Sequence, residues 1–215
     1  MWESQDLLHW SSARAAGAAP EGAGCLWAPE AMYDAEKQAF MVFFASFVQE
    51  AGEEVGKHRI YAAHTKDFVN WSPTKKYIEW DRSIIDTTII RDGGVYYRFS
   101  KDENTKRVMM EKGERLEGEF VRVAAPVLEG IAGLEGPECY LLPNGKWCLL
   151  CDQFSLDKGY LPIVIEDLPS AQMRVLREDE YDLGKTRKRH GGVLMISDEE
   201  YVRVSSFAQW ERAAK

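Results

Sequence analysis

Four polar residues stand where short apolar runs begin. They are Glu30 in Trp27-Ala28-Pro29-Glu30, Asp86 in Ser83-Ile84-Ile85-Asp86-Thr87-Thr88-Ile89-Ile90, Glu135 in Gly133-Leu134-Glu135-Gly136-Pro137, and His190 before Gly191-Gly192. Aspartate is depleted in strands, and a buried charge is costly without partners. Asp86 therefore has three readings: a solvent-facing residue on an alternating strand, a buried cap for a neighbouring loop, or a carboxylate at the mouth of a strand facing a polar cavity. Glu135 is either an ordinary loop residue or a site residue. Its flanking glycines allow close approach of a ligand, and Pro137 stiffens the chain after it. Two carboxylates on facing walls of one cavity can divide acid and base work. One protonates a leaving oxygen while the other activates water, as in glycoside hydrolysis.

Such residues need a scaffold that brings distant strand starts together. The run around Asp86 is β-branched and ends at Asp92-Gly93-Gly94, a hairpin turn leading into Val95–Phe99. The preceding unit reads as strands at Glu30–Tyr33, Ala39–Phe47, Arg59–His64 and Lys76–Glu79. A later unit reads as strands at Glu138–Leu142, Trp147–Phe154, Ile163–Glu166 and Arg174–Leu176. Turn signals at Asp34–Lys37, Pro143-Asn144-Gly145 and Asp157-Lys158-Gly159 separate them. A second repeat is Asp6-Leu7-Leu8-His9-Trp10, echoed by Asp67-Phe68-Val69-Asn70-Trp71 and more loosely by Leu116–Phe120. The polar strand starts recur at intervals of about 50–55 residues with roughly four strands each, the signature of propeller blades. The innermost strand of each blade then carries its polar residue to one central pocket. The expected units are 27–82, 83–130, 131–186 and 187–215, with 1–26 the tail of another. Helical periodicity is almost absent; residues 12–19 read as loop, and Gln209–Lys215 as a short or frayed helix.

Bulk properties narrow the partners. The 215 residues are 45% hydrophobic and 29% charged, with 12% aromatics including seven Trp, which suits an all-β core or a sugar-binding surface. A net charge of −8 argues against nucleic acid or an anionic membrane as partner. No apolar run is long enough to span a bilayer, and the first residues lack a signal-peptide pattern, so the expected location is the cytoplasm. Cys148-Leu149-Leu150-Cys151 has metal-ligand spacing but no second Cys or His pair nearby. Buried free thiols are favoured over zinc for Cys25, Cys139, Cys148 and Cys151.

Taken in order, Asp6–Trp10, Trp27-Ala28-Pro29-Glu30, Ser83–Asp86, Glu135-Gly136-Pro137 and Arg189-His190-Gly191 resemble glycoside hydrolase family 43. The resemblance spans essentially the whole chain; the ordered set carries it rather than any one motif. It implies a five-bladed β-propeller acting as an α-L-arabinofuranosidase or β-xylosidase on plant polysaccharides or oligosaccharides, with inversion. It further implies that Glu135 is the general acid, that Asp86 orients and tunes that acid, and that Trp27 is a wall or platform for the sugar. His190 falls near the axis, in some members beside a calcium ion; the chemistry itself requires no cofactor. Glu30 and Arg98 are further substrate-binding candidates, Arg98 as a hydrogen-bond donor to sugar or as the holder of a carboxylate. Glu138 is expected to point to the opposite sheet face if Pro137–Tyr140 is extended.

One departure matters. The family's general base is an Asp in the first strand of blade one, ahead of the phrase that here begins at Ser4. The expectation is therefore a propeller with most of blade one absent, its open sector covered by a homo-oligomeric contact. Glu30 is the candidate replacement base. The alternative is a vestigial, sugar-binding propeller without turnover, and beyond it a propeller used only for protein contacts.

Overall fold

The computed structural model describes residues 1–213. Residues Ala18–Gly192 form one compact unit; Met1–Gly17 and the segment from Val193 onward form another.

The larger unit is three four-stranded antiparallel sheets, each built from consecutive strands. The first holds β1 (Trp27–Asp34), β2 (Ala39–Val48), β3 (Lys57–Thr65) and β4 (Lys75–Ile78). The second holds β5 (Ile84–Asp92), β6 (Val95–Asp102), β7 (Arg107–Gly113) and β8 (Val121–Val123), followed by the short helix α1 (Pro126–Gly130). The third holds β9 (Glu135–Leu141), β10 (Trp147–Asp152), β11 (Tyr160–Asp167) and β12 (Gln172–Val175). Local chemistry explains the elements. β2 and β5 are runs of aromatic and β-branched residues, which fit a pleated buried surface. Gly93 and Gly94 both take positive φ, 55° and 87°, as a tight two-residue hairpin requires.

The sheets bury their faces against one another. Met41, Phe43 and Ile60 of the first sheet pack with Ile84, Ile85 and Ile89 of the second. Phe99, Val108 and Met110 of the second pack with Leu149, Ile163 and Ile165 of the third. Phe43, Phe99, Ile60 and Leu149 are fully enclosed, each contributing about 2–3 kcal/mol of burial.

The first strand of every sheet is interrupted at one place. The register of β1 on β2 shifts between Trp27 and Glu30, that of β5 on β6 between Ile85 and Thr88, and that of β9 on β10 between Leu150 and Asp152, opposite Glu135–Glu138. Each shift is a bulge centred on a left-handed residue: Ala28 (φ 45°), Asp86 (φ 49°) and Gly136 (φ 50°).

In the smaller unit, residues Ser4–Trp10 form a compact turn. The stretch 187–215, expected to open another blade, contains no strand among the described residues. It runs through a loop into α2 (Asp198–Ala213). The cause is local. Glu200 N–H donates to Ser197 Oγ at 3.3 Å, and Ser197 N–H donates to a Glu200 carboxylate oxygen at 2.8 Å. This capping box, with Asp198 and Glu199 also in the first turn, favours a helix start. Of the expected C-terminal helix at Gln209–Lys215, the part up to Ala213 belongs to α2 and the last two residues lie outside the described ones. Among the described residues no helix is long and apolar enough to cross a membrane.

The cysteines are free thiols, with Cys139, Cys148 and Cys151 buried. Burial pushes the Cys139, Cys148 and Cys151 thiols up, as expected of inert core residues.

Candidate active site

The three bulges and the loop at His190 open on one cavity of about 580 Å³. Trp27, Glu30, Asp86, Glu135, Glu138 and His190 line it. Five of the six expected site residues thus meet, although they are spread over more than 160 positions of sequence. The bulge is what makes this possible. In an unbroken strand, residues three apart face opposite ways. The extra residue puts both Trp27 and Glu30 into the cavity, and both Glu135 and Glu138. The expectation that Glu138 faces away is therefore corrected: Pro137–Tyr140 is extended, but Gly136 resets the alternation before it.

His190 repeats the backbone feature of the strand starts, with φ 38°. Left-handed conformation at non-glycine residues costs on the order of 1–3 kcal/mol each and persists where surroundings enforce it. At Asp86 the enforcing contact is visible: Gly136 N–H donates to Asp86 Oδ2 at 3.0 Å, tying the second sheet to the third. Gly136 itself is required by proximity, since a Cβ there would fall 1.9 Å from His190 Cδ2.

The charges are arranged around Glu135. Lys101 Nζ donates to Glu135 Oε2 at 2.8 Å. Arg189 Nη2 lies 3.6 Å and His190 Nε2 3.8 Å from Glu135 Oε1. Arg189 is itself anchored, its Nε donating at 2.7 Å to the fully buried Asp152, which sits opposite Glu135 in the β9–β10 pairing. His190 Nε2 is 3.5 Å from Asp86 Oδ2. That contact, with the further charges of Asp86 and Glu135, raises the His190 pKa above the ordinary imidazole value against the opposing effect of burial. Tyr160 fixes the loop beyond it, its hydroxyl donating to Gly191 O at 3.1 Å.

Glu30 differs from its neighbours. Enclosure raises its pKa well above the ordinary carboxylate value, and the Glu138 and Asp86 charges push the same way, against a hydrogen bond from Thr88. A carboxyl with a raised pKa holds its proton to higher pH, and once ionised it accepts a proton more strongly. Trp27 stands at the cavity wall, half-exposed, stacked on His58 with ring centroids 5.1 Å apart. Such a ring offers an apolar face with a fixed orientation.

Arg98 is not at this site. Its guanidinium is buried, pairs with Glu111 Oε2 at 2.7 Å, and lies over the Phe120 ring at 4.1 Å. It does hold a carboxylate, but one that braces β6 to β7 within the second sheet. Along an alternating strand Arg98 and Lys101 lie on opposite faces, and it is Lys101 that points toward the cavity carboxylate. Lys101 and Arg189 are the site residues that sequence reasoning missed. A lysine in the β6 run Tyr96–Asp102 was the available signal.

Asp86, Glu135 and His190 also form a group able to hold a cation, their ligand atoms lying within 4.8 Å of one another. Calcium takes six to eight oxygens, waters among them. Two carboxylates and a ring nitrogen supply part of that, and Lys101 and Arg189 already oppose the Glu135 charge.

Residues 1–202 match the family model of glycosyl hydrolase family 43-related proteins, described as a probable glycosyl hydrolase domain. The chain belongs to this family. An α-L-arabinofuranosidase of Bifidobacterium longum subsp. longum is 28% identical over 176 residues, a match covering 70% of this chain and 15% of the relative's length. The chain thus corresponds to a small part of that relative. Among solved structures, a thermostable family-43 glycoside hydrolase superposes with a TM-score of 0.59 at 16% identity, covering 89% of this chain and 70% of the other. An exo-β-1,3-galactanase from Phanerochaete chrysosporium superposes with a TM-score of 0.59 at 14% identity, covering 80% and 41%. At such identities the likeness concerns the fold: antiparallel sheets arranged as in the family's propellers.

Proposed function

We propose that this glycosyl hydrolase family 43-related chain removes terminal arabinofuranose or xylose units from plant polysaccharides or oligosaccharides by inverting hydrolysis, with Glu135 as general acid. The observation that supports this reading is the convergence on one cavity of Glu135, Asp86 and His190, with Trp27 as a sugar platform. The named activity of the Bifidobacterium relative favours arabinofuranose. On this reading the fold is the family's five-bladed type, of which the three sheets are consecutive blades.

The roles follow from the surroundings. Glu135, in the cavity lining, delivers the proton to the leaving oxygen; Asp86, bonded to Gly136 N–H, fixes the backbone beside the acid. Arg189 Nη2 and His190 Nε2 flank Glu135 Oε1 at 3.6 and 3.8 Å. Glu30, in the cavity lining, is a hydrogen-bond partner for a sugar hydroxyl. Among the cavity carboxylates, Glu30 and Glu138 are the candidates to accept the proton of the attacking water.

The ion pair of Glu135 with the buried Lys101 favours a second reading, in which the cavity binds sugar without cleaving it. Hydrolysis of aryl α-L-arabinofuranoside and aryl β-D-xylopyranoside, beside the Glu135→Gln variant, separates the two. On the first reading turnover falls by about 10²–10⁴-fold in the variant. Saturable sugar binding with equal, background-level release in both proteins supports the second.

A further inference from the structure

We propose that Lys101 is a positioning residue for Glu135: its ammonium holds Oε2, so that Oε1 alone is presented to the reacting bond. This rests on the reading of Glu135 as the acid and adds the element that aims it.

The argument begins with the cost of the lysine. Lys101 is only 2% exposed, in the middle of a β-sheet, where lysine is almost never enclosed unless paired. Its ammonium has three donors and meets three groups: Glu135 Oε2 at 2.8 Å, Glu103 Oε2 at 2.9 Å and the Phe154 ring at 4.3 Å. Burial opposes its charge, but the bonds to Glu135 and Glu103 outweigh that effect and its pKa is raised. The cation is therefore permanent and fixed on three sides.

The two oxygens of Glu135 are then unequal. Oε2 is within hydrogen-bond distance of Lys101, whereas Oε1 has Arg189 and His190 at 3.6 and 3.8 Å, outside that range. In the protonated carboxyl the oxygen that accepts from the ammonium is the carbonyl one, so the proton sits on Oε1, on the side of His190, which lines the cavity. Lys101 comes from the second sheet, opposite Ile85 beside Asp86, while Glu135 comes from the third. Gly133 N–H donating to Lys106 O at 2.7 Å ties the turn after β6 to the segment entering β9. The same inter-sheet junction thus sets both the backbone and the carboxylate plane of Glu135. A misplacement of about 1 Å in such a group costs on the order of 10²-fold in rate.

The test compares Lys101→Met, Lys101→Arg and Glu135→Gln on two aryl glycosides, one with a dinitrophenyl leaving group that needs little protonation and one with unsubstituted phenyl. Lys101→Met should lose at least about tenfold more kcat on the phenyl substrate than on the dinitrophenyl one, with KM within about threefold, and Lys101→Arg should recover part of the loss. Equal losses on both substrates, while Glu135→Gln discriminates between them, would overturn the positioning role and leave the acid reading intact. A Glu135→Gln variant that does not discriminate would overturn the acid reading, and this proposal with it. A crystal structure of Lys101→Met gives a readout independent of turnover. The Glu135 carboxylate is expected to rotate from its place, and an unmoved carboxylate overturns the proposal.

Discussion

The Asp turns and the strand starts of this protein use the same two ingredients, a carboxylate and a left-handed backbone, to opposite ends. In the turn at Thr65–Trp71, Asp67 Oδ1 accepts from the N–H groups of Val69 and Asn70 at 2.9 and 2.7 Å, and Oδ2 from the Asn70 amide at 2.8 Å. In the separate turn at Ser4–Trp10, Asp6 does the same with Leu8 at 2.9 Å and His9 at 2.8 Å, and His9 Nδ1 reaches Oδ2 at 2.7 Å. Leu7 and Phe68 take the left-handed place, φ 63° and 54°. Every partner lies within three residues, and these bonds hold both carboxyls well below the ordinary carboxylate range. At the strand starts, Asp86 and Glu135 are met by Gly136, Lys101, Arg189 and His190, from other sheets or distant loops. A carboxylate satisfied locally is closed to a ligand. One satisfied across a junction still faces the cavity, and its geometry depends on the tertiary fold.

Four measurements sharpen or break this contrast. The largest effect is expected in kinetics. Glu135→Gln should lower kcat on phenyl glycosides by about 10²–10⁴-fold, while Asp67→Asn leaves it unchanged. Comparable losses in both would end the distinction. Next is Arg98→Met, which strands Glu111 in the second sheet. Breaking a buried pair costs about 3–5 kcal/mol, read by denaturant unfolding, with kcat per folded molecule preserved because the pair does not face the cavity.

The third concerns pH. Unfolded, Glu30 titrates in the ordinary carboxylate range; folded, its pKa lies above it. Between the two, the native state retains a proton that the unfolded chain has lost. Its contribution to stability is therefore full below that window and declines as pH rises through it. Glu30→Gln should match the parent Tm near about pH 4 and exceed it near about pH 8. A parallel fall in both proteins would remove Glu30 as the source. The smallest effect is Asp67→Ala, which loses turn bonds on an exposed loop. Thermal melting should show a drop of a few degrees and no change in sugar binding, since its partners are all local.

The sequence by itself determined the parts that rest on short-range chemistry. Strand runs, the Gly93-Gly94 hairpin and the repeated Asp turns follow from residue type and spacing within a few positions, and their recurrence pointed to the sheet count in 27–175. The capping box at Ser197–Glu200 was equally legible, and reading that stretch as a blade start passed over it. Glu30, Asp86 and Glu135 could be named because polar residues at the head of apolar strands are costly without a reason; His190, which the family resemblance also marks, heads no strand.

Tertiary structure decided the rest. Whether Glu138 faces the cavity turns on one bulge at Gly136. Whether Arg98 or Lys101 reaches Glu135 turns on the face each takes on β6, and on which sheet packs against it. The raised pKa of Glu30 comes from enclosure and from the Glu138 and Asp86 charges beside it. Each of these is set by contacts between segments tens of residues apart, where strand alternation and charge are the same in the sequence but the partners are supplied by the packing of one sheet on the next.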